Sequence, residues 1–311
     1  MCEILCISFG RHITSTTGSI GAAVAVSKLL ELPAEKIAHA IGLAATQVTG
    51  LREMFGSHTK SFHPGRAAQN GLLAALLAAE GYTSSLQALE AKRGWVKVVS
   101  KDDKLQSEIE SLSLRGPWEI EKNAFKPFPC GIVVHPAIDG CVWLHGELTR
   151  RGLDSQHIKA VHLQVHPLVL ELTGKKTPRD GLEAKFSVYH GAAVGLLYGK
   201  AAPAQYEDHV VLDPNVTGLR DKFQATIDEK LRADECHIVV EFDHSPERIQ
   251  KHVDHAVGSL EVPMSDDQLT DKFIDQCQIV LGSEGAKRAS EWCWGLEKTQ
   301  DVRRIGEVVS T

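Results

Sequence analysis

Apolar and small residues recur at helical spacing through the first part of the chain. We predict a helix over Gly18–Leu30, capped by Thr16 or Thr17, and a second helix over Ala34–Val48. Pro33 separates them, because a proline ends the helix before it. In the second helix the apolar side chains share one face, at positions i, i+3, i+4 and i+7. Short helices with small facing residues predict a bundle.

A polar, basic segment precedes the third predicted helix. The stretch Gly56–Gly81 begins as a loop with Lys60, His63 and Arg66 and continues as an Ala- and Leu-rich helix over Arg66–Glu80. A helix N-terminus attracts anions, because its first N–H groups are unpaired and the macrodipole is positive there. The segment therefore predicts a site for a small, multiply negative molecule. Taken alone, a lysine and a histidine in a loop are more often solvated surface groups.

The pattern becomes mixed from about Trp118. Alternation and β-branched runs predict strands over Ile158–Val165, Thr226–Leu231 and His237–Phe242. Helical segments are predicted after Ser84-Ser85 as far as Gly94, and over Pro136–Thr149, Ala184–Tyr198, Asp266–Leu281, Ser283–Leu296 and Val302–Val308. Ser265 and Gln268 form a capping box at the start of the helix that follows them.

These elements predict a mainly α fold, in which a smaller α+β (lid) domain is inserted into a helical-bundle domain. We place the helical domain at residues 1–122 and 263–311, and the α+β lid domain at residues 123–262.

Composition narrows the class of protein. The chain has 311 residues, 43% of them hydrophobic, which is enough for a sizeable core and two domains. A net charge of −6 without a basic run argues against nucleic-acid binding. The longest apolar run, Leu72–Ala79, is too short to cross a membrane. The start has no basic region typical of a signal peptide, so we expect a cytoplasmic protein, with a mitochondrial location as the alternative.

Cysteine and histidine spacing adds little chemistry. The 7 cysteines include no C-x-x-C pair, which fits reduced thiols. None of the 15 histidines has a metal-binding spacing, and the chain has no Gly-rich phosphate loop, so we predict neither a metal nor a cofactor. His252 and His255 fall in a polar, helix-like stretch that we expect to be solvated.

One long spaced pattern is more specific than any short motif. Its positions are Gly56, Thr59, Lys60, His63, Gly65, Ala67, Ala68 and Gly71, followed by Gly81-Tyr82-Thr83. Further segments that belong with it are His12-Ile13-Thr14 with Gly18–Ala23, Lys126–Gly131 with His135–Asp139, Phe186–His190, and Val262–Ser265 with Lys272-Phe273. Together these segments resemble the MmgE/PrpD family along most of the chain.

The resemblance implies a cofactor-independent lyase that acts on a small di- or tricarboxylate, of the cis-aconitate decarboxylase or 2-methylcitrate dehydratase type. It also implies a homodimer. The residues it places at catalytic positions are His12, Lys60, Lys126 and His190, and those at substrate-binding positions are Thr14, His63, Arg66 and Tyr189. Lys60 and Lys126 would bind carboxylates from the two domains. His190 occupies the position where many members have an active-site tyrosine, and Tyr189 lies beside it.

Several alternatives stay open. His135 is equally well explained as a packed residue or a functional one, and Cys130 is best explained as a small buried thiol. The family's Asp-Asp-Thr block does not precede His12, so we expect the chain to lack the N-terminal part of the family. A catalytically incomplete relative that binds carboxylates or a partner subunit is therefore the second hypothesis. Decarboxylation, dehydration and epimerisation are not distinguished.

Overall fold

The structure is a computed structural model, and it describes residues 10–48, 50–99, 118–243 and 245–310. Internal contacts divide the chain into two compact units, unit 1 (Met1–Trp118) and unit 2 (Glu119–Thr311). Within the described ranges, no helix combines the length and the hydropathy that a bilayer crossing requires.

Unit 1 is built from helices. Its described elements are α1 (Ile13–Leu29), α2 (Ala34–Ala45), a 3₁₀ turn (Arg52–Met54), α3 (His58–Ala79) and α4 (Trp95–Val99). The core between α1, α2 and α3 consists of alanines, namely Ala23, Ala40, Ala44, Ala74 and Ala78. Side chains this small let the helix axes approach closely.

Helices α1 and α3 run parallel, and their contact depends on two glycines. A Cβ at Gly71 would lie 2.4 Å from Ala22 Cβ, and one at Gly18 would lie 3.3 Å from Ala67 Cβ. Because both contacts advance along the two helices in the same direction, the N-termini of α1 and α3 lie side by side.

Two predicted helix starts in unit 1 are wrong. Helix α1 begins at Ile13 rather than after Thr16 or Thr17, and α3 begins at His58 rather than at Arg66. Pro64 indicated a loop, because a proline removes an internal hydrogen bond. In the structure the helix continues through Pro64, so His63 and Arg66 are helical residues and not loop residues.

The segment after α3 also differs from the prediction. The helix predicted between Ser85 and Gly94 is absent, and residues 86–94 form turns and bends. A short helix, α4, begins directly after Gly94 instead. A Cβ at Gly94 would lie 2.7 Å from the Leu89 carbonyl oxygen, so the tight turn at this point requires glycine.

In its described residues, unit 2 combines helices with a four-stranded sheet. Its described helices are α5 (His135–Arg151), α6 (Pro167–Thr173), α7 (Gly181–Ala184), α8 (Val188–Tyr198), α9 (Asp208–Val211), α10 (Pro214–Asp221), α11 (Asp266–Trp294) and α12 (Ile305–Val308). Its 3₁₀ turns are Glu119–Lys122, Ile132–Val134, Ser155–His157, Pro203–Tyr206, Leu296–Lys298 and Val302–Arg304. The predicted helix over Ala184–Tyr198 is therefore divided between α7 and α8.

The sheet has four strands in the order β2-β1-β3-β4. They are β1 (Ile158–Val165), β2 (Phe223–Ile227), β3 (Cys236–Phe242) and β4 (Arg248–Val253). Strand β1 pairs in parallel with β2 and antiparallel with β3, and β3 pairs antiparallel with β4. The prediction of β1 is confirmed, β2 lies a few residues earlier than predicted, and β4 was not predicted. His252 therefore lies in a strand rather than in a helix-like stretch.

One helix covers a face of this sheet. A Cβ at Gly140, in α5, would lie 2.5 Å from Ile238 Cδ1 and 3.0 Å from Val253 Cγ2. The core of unit 2 gathers large side chains from the helices and the strands, including the fully buried Ile138, Leu163 and Phe223. The opposite face of the sheet carries mostly polar side chains that are partly exposed, such as His162, Glu241 and His252.

The C-terminal helical segment agrees with the sequence in its details. Ser265 and Gln268 form the predicted capping box at the start of α11. Gly282 interrupts α11 with a φ of 67°, at the boundary between the two helices predicted here. Internal contacts group residues 263–311 with unit 2, whereas the sequence joined them to the N-terminal helices. The proposed domain boundaries and the lid stay predictions.

Candidate active site

Three predicted site residues of unit 1 lie together at the adjoining N-termini of α1 and α3. The rings of His12 and His63 have their centroids 4.9 Å apart. Lys60 lies in the first turn of α3, one turn before His63, and is close enough for its charge to act on His12. Two histidines and a lysine thus meet where two helices present their positive ends.

His12 is held rigidly by the backbone. It is the N-cap residue of α1, and its N–H donates to the Gly50 carbonyl oxygen at 3.2 Å. The carbonyl oxygen of His12 accepts from the hydroxyl of Thr16 at 3.0 Å. Ser15 Oγ lies 3.5 Å from the ring Nδ1, and the Phe55 ring packs edge-on at a centroid distance of 5.5 Å.

The environment of His12 disfavours its charged form. The side chain is 9% exposed. Burial, followed by the nearby His63 and Lys60, lowers the pKa of His12 to about 4. His12 is therefore a neutral imidazole near pH 7, which is the form that accepts a proton.

His63 is buried in the same cluster. Its Nδ1 atom has no hydrogen-bond partner among the described residues. A buried polar atom without a partner is uncommon in folded proteins and is frequent at functional sites. Helix α3 places His63 on the face that continues through Ala67, Gly71 and Ala74, all of them buried against the bundle.

Gly50 allows this cluster to pack. Its φ is +110°, a conformation that favours glycine. A Cβ here would lie 2.3 Å from Ser15 Oγ and 3.5 Å from His63 Cδ2. A larger residue would therefore displace the groups around His12.

The start of α3 suits an anion. Among the described residues no side chain caps this helix, and the Ser57 hydroxyl donates instead to the Met54 carbonyl oxygen at 2.7 Å. Lys60 is half-buried in the first helical turn. The lysine charge and the helix dipole have the same sign, so both favour a carboxylate.

Two other predicted binding residues face solvent. Arg66 is exposed and donates to Gln69 Oε1 at 2.8 Å, one turn further along α3. Thr14, in the first turn of α1, is also exposed. The structure does not bring either side chain into the His12–Lys60–His63 cluster through any contact it records.

In unit 2, the predicted residue Lys126 influences His135 through its charge. Lys126 is exposed, whereas His135 is 3% exposed and its ring packs edge-on against Phe128 at 5.3 Å. Burial and, next, the charge of Lys126 lower the pKa of His135 to about 4. His135 Nε2 has no hydrogen-bond partner among the described residues. Cys130 is buried, as predicted for a small thiol, and its burial raises the pKa of the thiol to about 11.

His190 lies in the core of unit 2 and not at a surface. It has no exposed area, and its Nε2–H donates to the Gln205 carbonyl oxygen at 2.9 Å. Burial lowers the pKa of His190 to about 4. Its neighbour Tyr189 is 9% exposed and lies beneath Lys176 Nζ, 5.9 Å from the ring centroid. The catalytic role predicted for His190 stays a prediction.

Sequence analysis missed Ser15 and Phe55, which contact His12. Ser15 is three residues from His12, a spacing that faces the same side of a helix. This spacing could not be used because the helix was predicted to start only after Thr16 or Thr17, which left Ser15 outside it. Phe55 follows an irregular turn and carries no periodic signal.

A cavity of about 710 Å³ lies elsewhere in unit 1. It is lined by the C-terminal half of α2 and by the segment 83–99, with Arg11 and Arg93 at its walls. His12, Lys60 and His63 are not among its lining residues, so we keep the cavity apart from the candidate site.

Two family models match the chain. The MmgE/PrpD N-terminal domain matches residues 2–108, and the MmgE/PrpD C-terminal domain matches residues 128–296. The chain belongs to the MmgE/PrpD family. The prediction that this MmgE/PrpD chain lacks the N-terminal part of the family is therefore wrong at the level of the domain.

Relatives of this MmgE/PrpD protein carry two kinds of name. The cis-aconitate decarboxylase-like protein oryM of Aspergillus oryzae is 26% identical over 329 residues, 98% of this chain and 66% of that protein. The cis-aconitate decarboxylase of Aspergillus terreus is 26% identical over 320 residues, 97% of this chain and 65% of that protein. The 2-methylcitrate dehydratase of Cupriavidus necator is 26% identical over 223 residues, 69% of this chain and 45% of that protein. The chain thus spans about two thirds of the length of the two Aspergillus proteins.

Proposed function

We propose that this protein is a cofactor-independent lyase that acts on a small di- or tricarboxylate, by decarboxylation or dehydration. The observation that carries the proposal is the meeting of His12, Lys60 and His63 at two adjoining helix N-termini. The names of the relatives support the substrate class and the reaction class.

Lys60 and the helix ends supply the binding of a carboxylate. A lysine ammonium is a compact charge that donates up to three hydrogen bonds. At the start of α3 it adds to the positive end of the helix dipole. We expect one carboxylate of the substrate to bind here.

His12 is the proposed proton carrier. Its imidazole is neutral near pH 7, so it is ready to accept a proton from a carbon next to a carboxylate. When an anionic substrate binds, its negative charge favours the protonated ring and raises the pKa of His12 toward neutral pH. In a dehydration, the ring then gives that proton to the departing hydroxyl group, which leaves as water. In a decarboxylation, the carbon–carbon bond to a carboxylate breaks and carbon dioxide leaves, so the ring first takes a proton from solvent water and then donates it to the carbon.

Lys126 is proposed to bind a second carboxylate, with His135 close enough for their charges to interact. We propose a supporting role for His63, because its ring packs on His12. The roles predicted for Thr14, Arg66, Tyr189 and His190 stay predictions. A lid formed by the α+β domain is part of the same proposal.

We also propose a homodimer. Leu72, Leu73 and Leu76 on α3 are each nearly half exposed, on the side away from the alanine core. Apolar surface of this kind is often covered by a partner. Light scattering coupled to size-exclusion chromatography measures the mass of the particle.

Turnover by the purified chain tests the proposed activity. We would follow cis-aconitate, 2-methylcitrate and citrate by proton NMR, using the wild type, Lys60→Ala and, as a control, Lys28→Ala. Lys28 is an exposed lysine at the far end of α1. Loss of a charged hydrogen bond should lower kcat/KM by roughly 10- to 100-fold in Lys60→Ala.

Each outcome separates the two hypotheses. Product formation that Lys60→Ala weakens and Lys28→Ala does not would support the lyase. Binding of a carboxylate without product would favour the non-catalytic relative. Neither binding nor product from a folded protein would reject the candidate site.

A further inference from the structure

Two histidines face each other on the solvent side of the sheet in unit 2. His237 in β3 and His252 in β4 are directly paired in the strand register. Their rings are stacked, with centroids 4.0 Å apart and planes 2° from parallel. Both side chains are nearly half exposed. They are 15 residues apart in sequence, which is why no metal spacing was visible there.

A carboxylate completes this pair. Glu235 Oε1 lies 2.9 Å from His252 Nε2 and 3.9 Å from His237 Nε2. The side chain of Glu235 is only 12% exposed. Its other oxygen, Oε2, accepts from the Arg232 N–H at 3.1 Å and lies 3.5 Å from the Arg232 guanidinium. Arg232 thus holds one oxygen while the other faces both imidazoles.

These distances suit a small tetrahedral ion. Zinc binds imidazole nitrogen and carboxylate oxygen at about 2.0–2.2 Å, so two ligand atoms in a tetrahedral site are roughly 3.3 Å apart. The two separations from Glu235 Oε1 lie on either side of that value. The stacked rings point their nitrogens side by side, so binding requires a rotation of the exposed rings toward a common point.

A neighbouring cluster is less suited to a cation. Asp234, His255 and Glu261 also lie close together. The Arg232 guanidinium approaches Asp234 to 3.3 Å and His255 Nε2 to 3.4 Å. The Arg232 charge therefore already lies within the cluster of Asp234, His255 and Glu261. In the cluster of Glu235, His237 and His252, the same guanidinium contacts only Oε2 of Glu235.

We propose that Glu235, His237 and His252 form a binding site for a divalent transition-metal ion of the zinc class. Two imidazoles and one carboxylate favour zinc, nickel or copper over magnesium or calcium, which prefer oxygen ligands. The bound ion would link the start of β3, at His237 and the preceding Glu235, to the end of β4, at His252. A water molecule would fill the fourth position.

Zinc titration of the full chain tests this site, with the protein treated with a chelator and free of any histidine tag. We would measure Zn²⁺ binding by calorimetry and Co²⁺ binding by the visible absorption of a tetrahedral complex. His237→Phe and His252→Phe keep an aromatic ring in the stack but remove the ligand nitrogen. His255→Ala is the matched control in the neighbouring cluster. Circular dichroism verifies that each variant is folded.

The proposal expects one zinc ion per chain in the wild type and in His255→Ala. Loss of an outer-shell partner commonly weakens metal binding 10- to 100-fold, so loss of a direct ligand should weaken it at least about tenfold. The two phenylalanine variants should also lose the Co²⁺ absorption. No zinc binding by the wild type, equal binding by every variant, or loss of binding only in His255→Ala would overturn the proposal.

Discussion

The proton affinity of His12 depends on two neighbours and on burial. Burial, and after it the neighbouring His63 and Lys60, disfavour a positive charge on the ring and lower the pKa of His12 to about 4. The position of His12 at the start of α1 acts in the same direction, since a helix N-terminus repels a cation.

Removal of the Lys60 charge should therefore raise the pKa of His12. In Lys60→Ala we expect an upward shift of the His12 titration, measured by NMR of the protein with ¹⁵N-labelled histidine. His12→Gln identifies its resonance, and Lys28→Ala should leave the titration unchanged. A His12 that titrates near 6.5 in the wild type would contradict the described burial.

Gly50 is the residue on which the packing around His12 depends. Gly50→Ala forces a strained φ and places a Cβ against Ser15, so we expect a loss of about 1–3 kcal/mol in the free energy of unfolding. Urea denaturation measures this change. Gly65→Ala is the control, because no atom of the described residues lies within 4 Å of a Cβ there and α3 is helical at that point. It should be neutral or stabilising by up to about 1 kcal/mol.

The sequence identified the candidate site residues themselves better than it identified the residues that pack around them. His12, Lys60 and His63 stood out through spaced motifs, and the structure places them together. Ser15 and Gly50 did not, because a packing contact depends on the exact direction of a helix start. For His190, the sequence indicated the position of a family site residue but did not indicate that the side chain is buried in the core of unit 2.

Helices α1 and α3 pack so closely at Gly71 that no side chain fits between them there. A Cβ at Gly71 would lie 2.7 Å from the Ser19 carbonyl oxygen as well as 2.4 Å from Ala22 Cβ. Backbone atoms do not move aside as a flexible side chain does, so the two helices would have to separate.

Substitution of two glycines in this pair tests the contact. Gly71→Ala should destabilise the protein by about 1–3 kcal/mol through overpacking. Gly21 lies on the exposed side of α1, and no atom of the described residues lies within 4 Å of a Cβ there. Gly21→Ala should therefore stabilise the protein by up to about 1 kcal/mol. Thermal unfolding of the two variants compares them directly. If Gly71→Ala were as stable as Gly21→Ala, the close parallel packing would be wrong.

Elements with a strong periodic signal could be predicted, and those set by tertiary contacts could not. Strand β1 and the capping box of α11 follow from local sequence. Strand β4 has the sequence Arg-Ile-Gln-Lys-His-Val, in which a single apolar position lies between polar ones before the last residue. It becomes a strand because β3 pairs with it. The start of α3 was hidden by Pro64, which usually marks a boundary.

The whole molecule carries a set of buried neutral histidines. The pKa values of His12, His135 and His190 are all lowered to about 4. In the unfolded chain the same groups titrate near 6.5. Between these values the unfolded state binds more protons than the folded state, so the free energy of unfolding falls as the pH falls.

We therefore expect a steep acid destabilisation between about pH 6.5 and pH 4. Each such proton contributes up to about 1.4 kcal/mol per pH unit. Urea unfolding at several pH values measures the slope, and His135→Gln should reduce it whatever its effect on stability at pH 7. The pKa of Glu183 is lowered to about 2 by Arg179, so this residue changes the free energy of unfolding only below about pH 4.5. Its contribution can therefore be distinguished from that of the histidines. A stability that does not change from pH 7 to pH 5 would contradict the three buried imidazoles.

The mainly α character and the small mixed sheet could be predicted from the sequence because the helical and alternating segments are long enough to be read locally. The domain boundaries and the inserted lid stay predictions. Residues 263–311 are helical like the N-terminal helices, yet internal contacts place them in unit 2. Similar secondary structure does not determine which segments pack together, because that depends on side-chain fit.

The parallel arrangement of α1 and α3 sets two like electrical poles next to each other, with Lys60 adding to both. These like poles repel one another and are held together by packing elsewhere in the bundle. A dianion that fits would relieve this repulsion, and by mass action a ligand at 100 times its Kd stabilises a fold by about 2.7 kcal/mol. Melting temperature in the presence of different carboxylates would therefore rank ligands for this protein without any need for turnover.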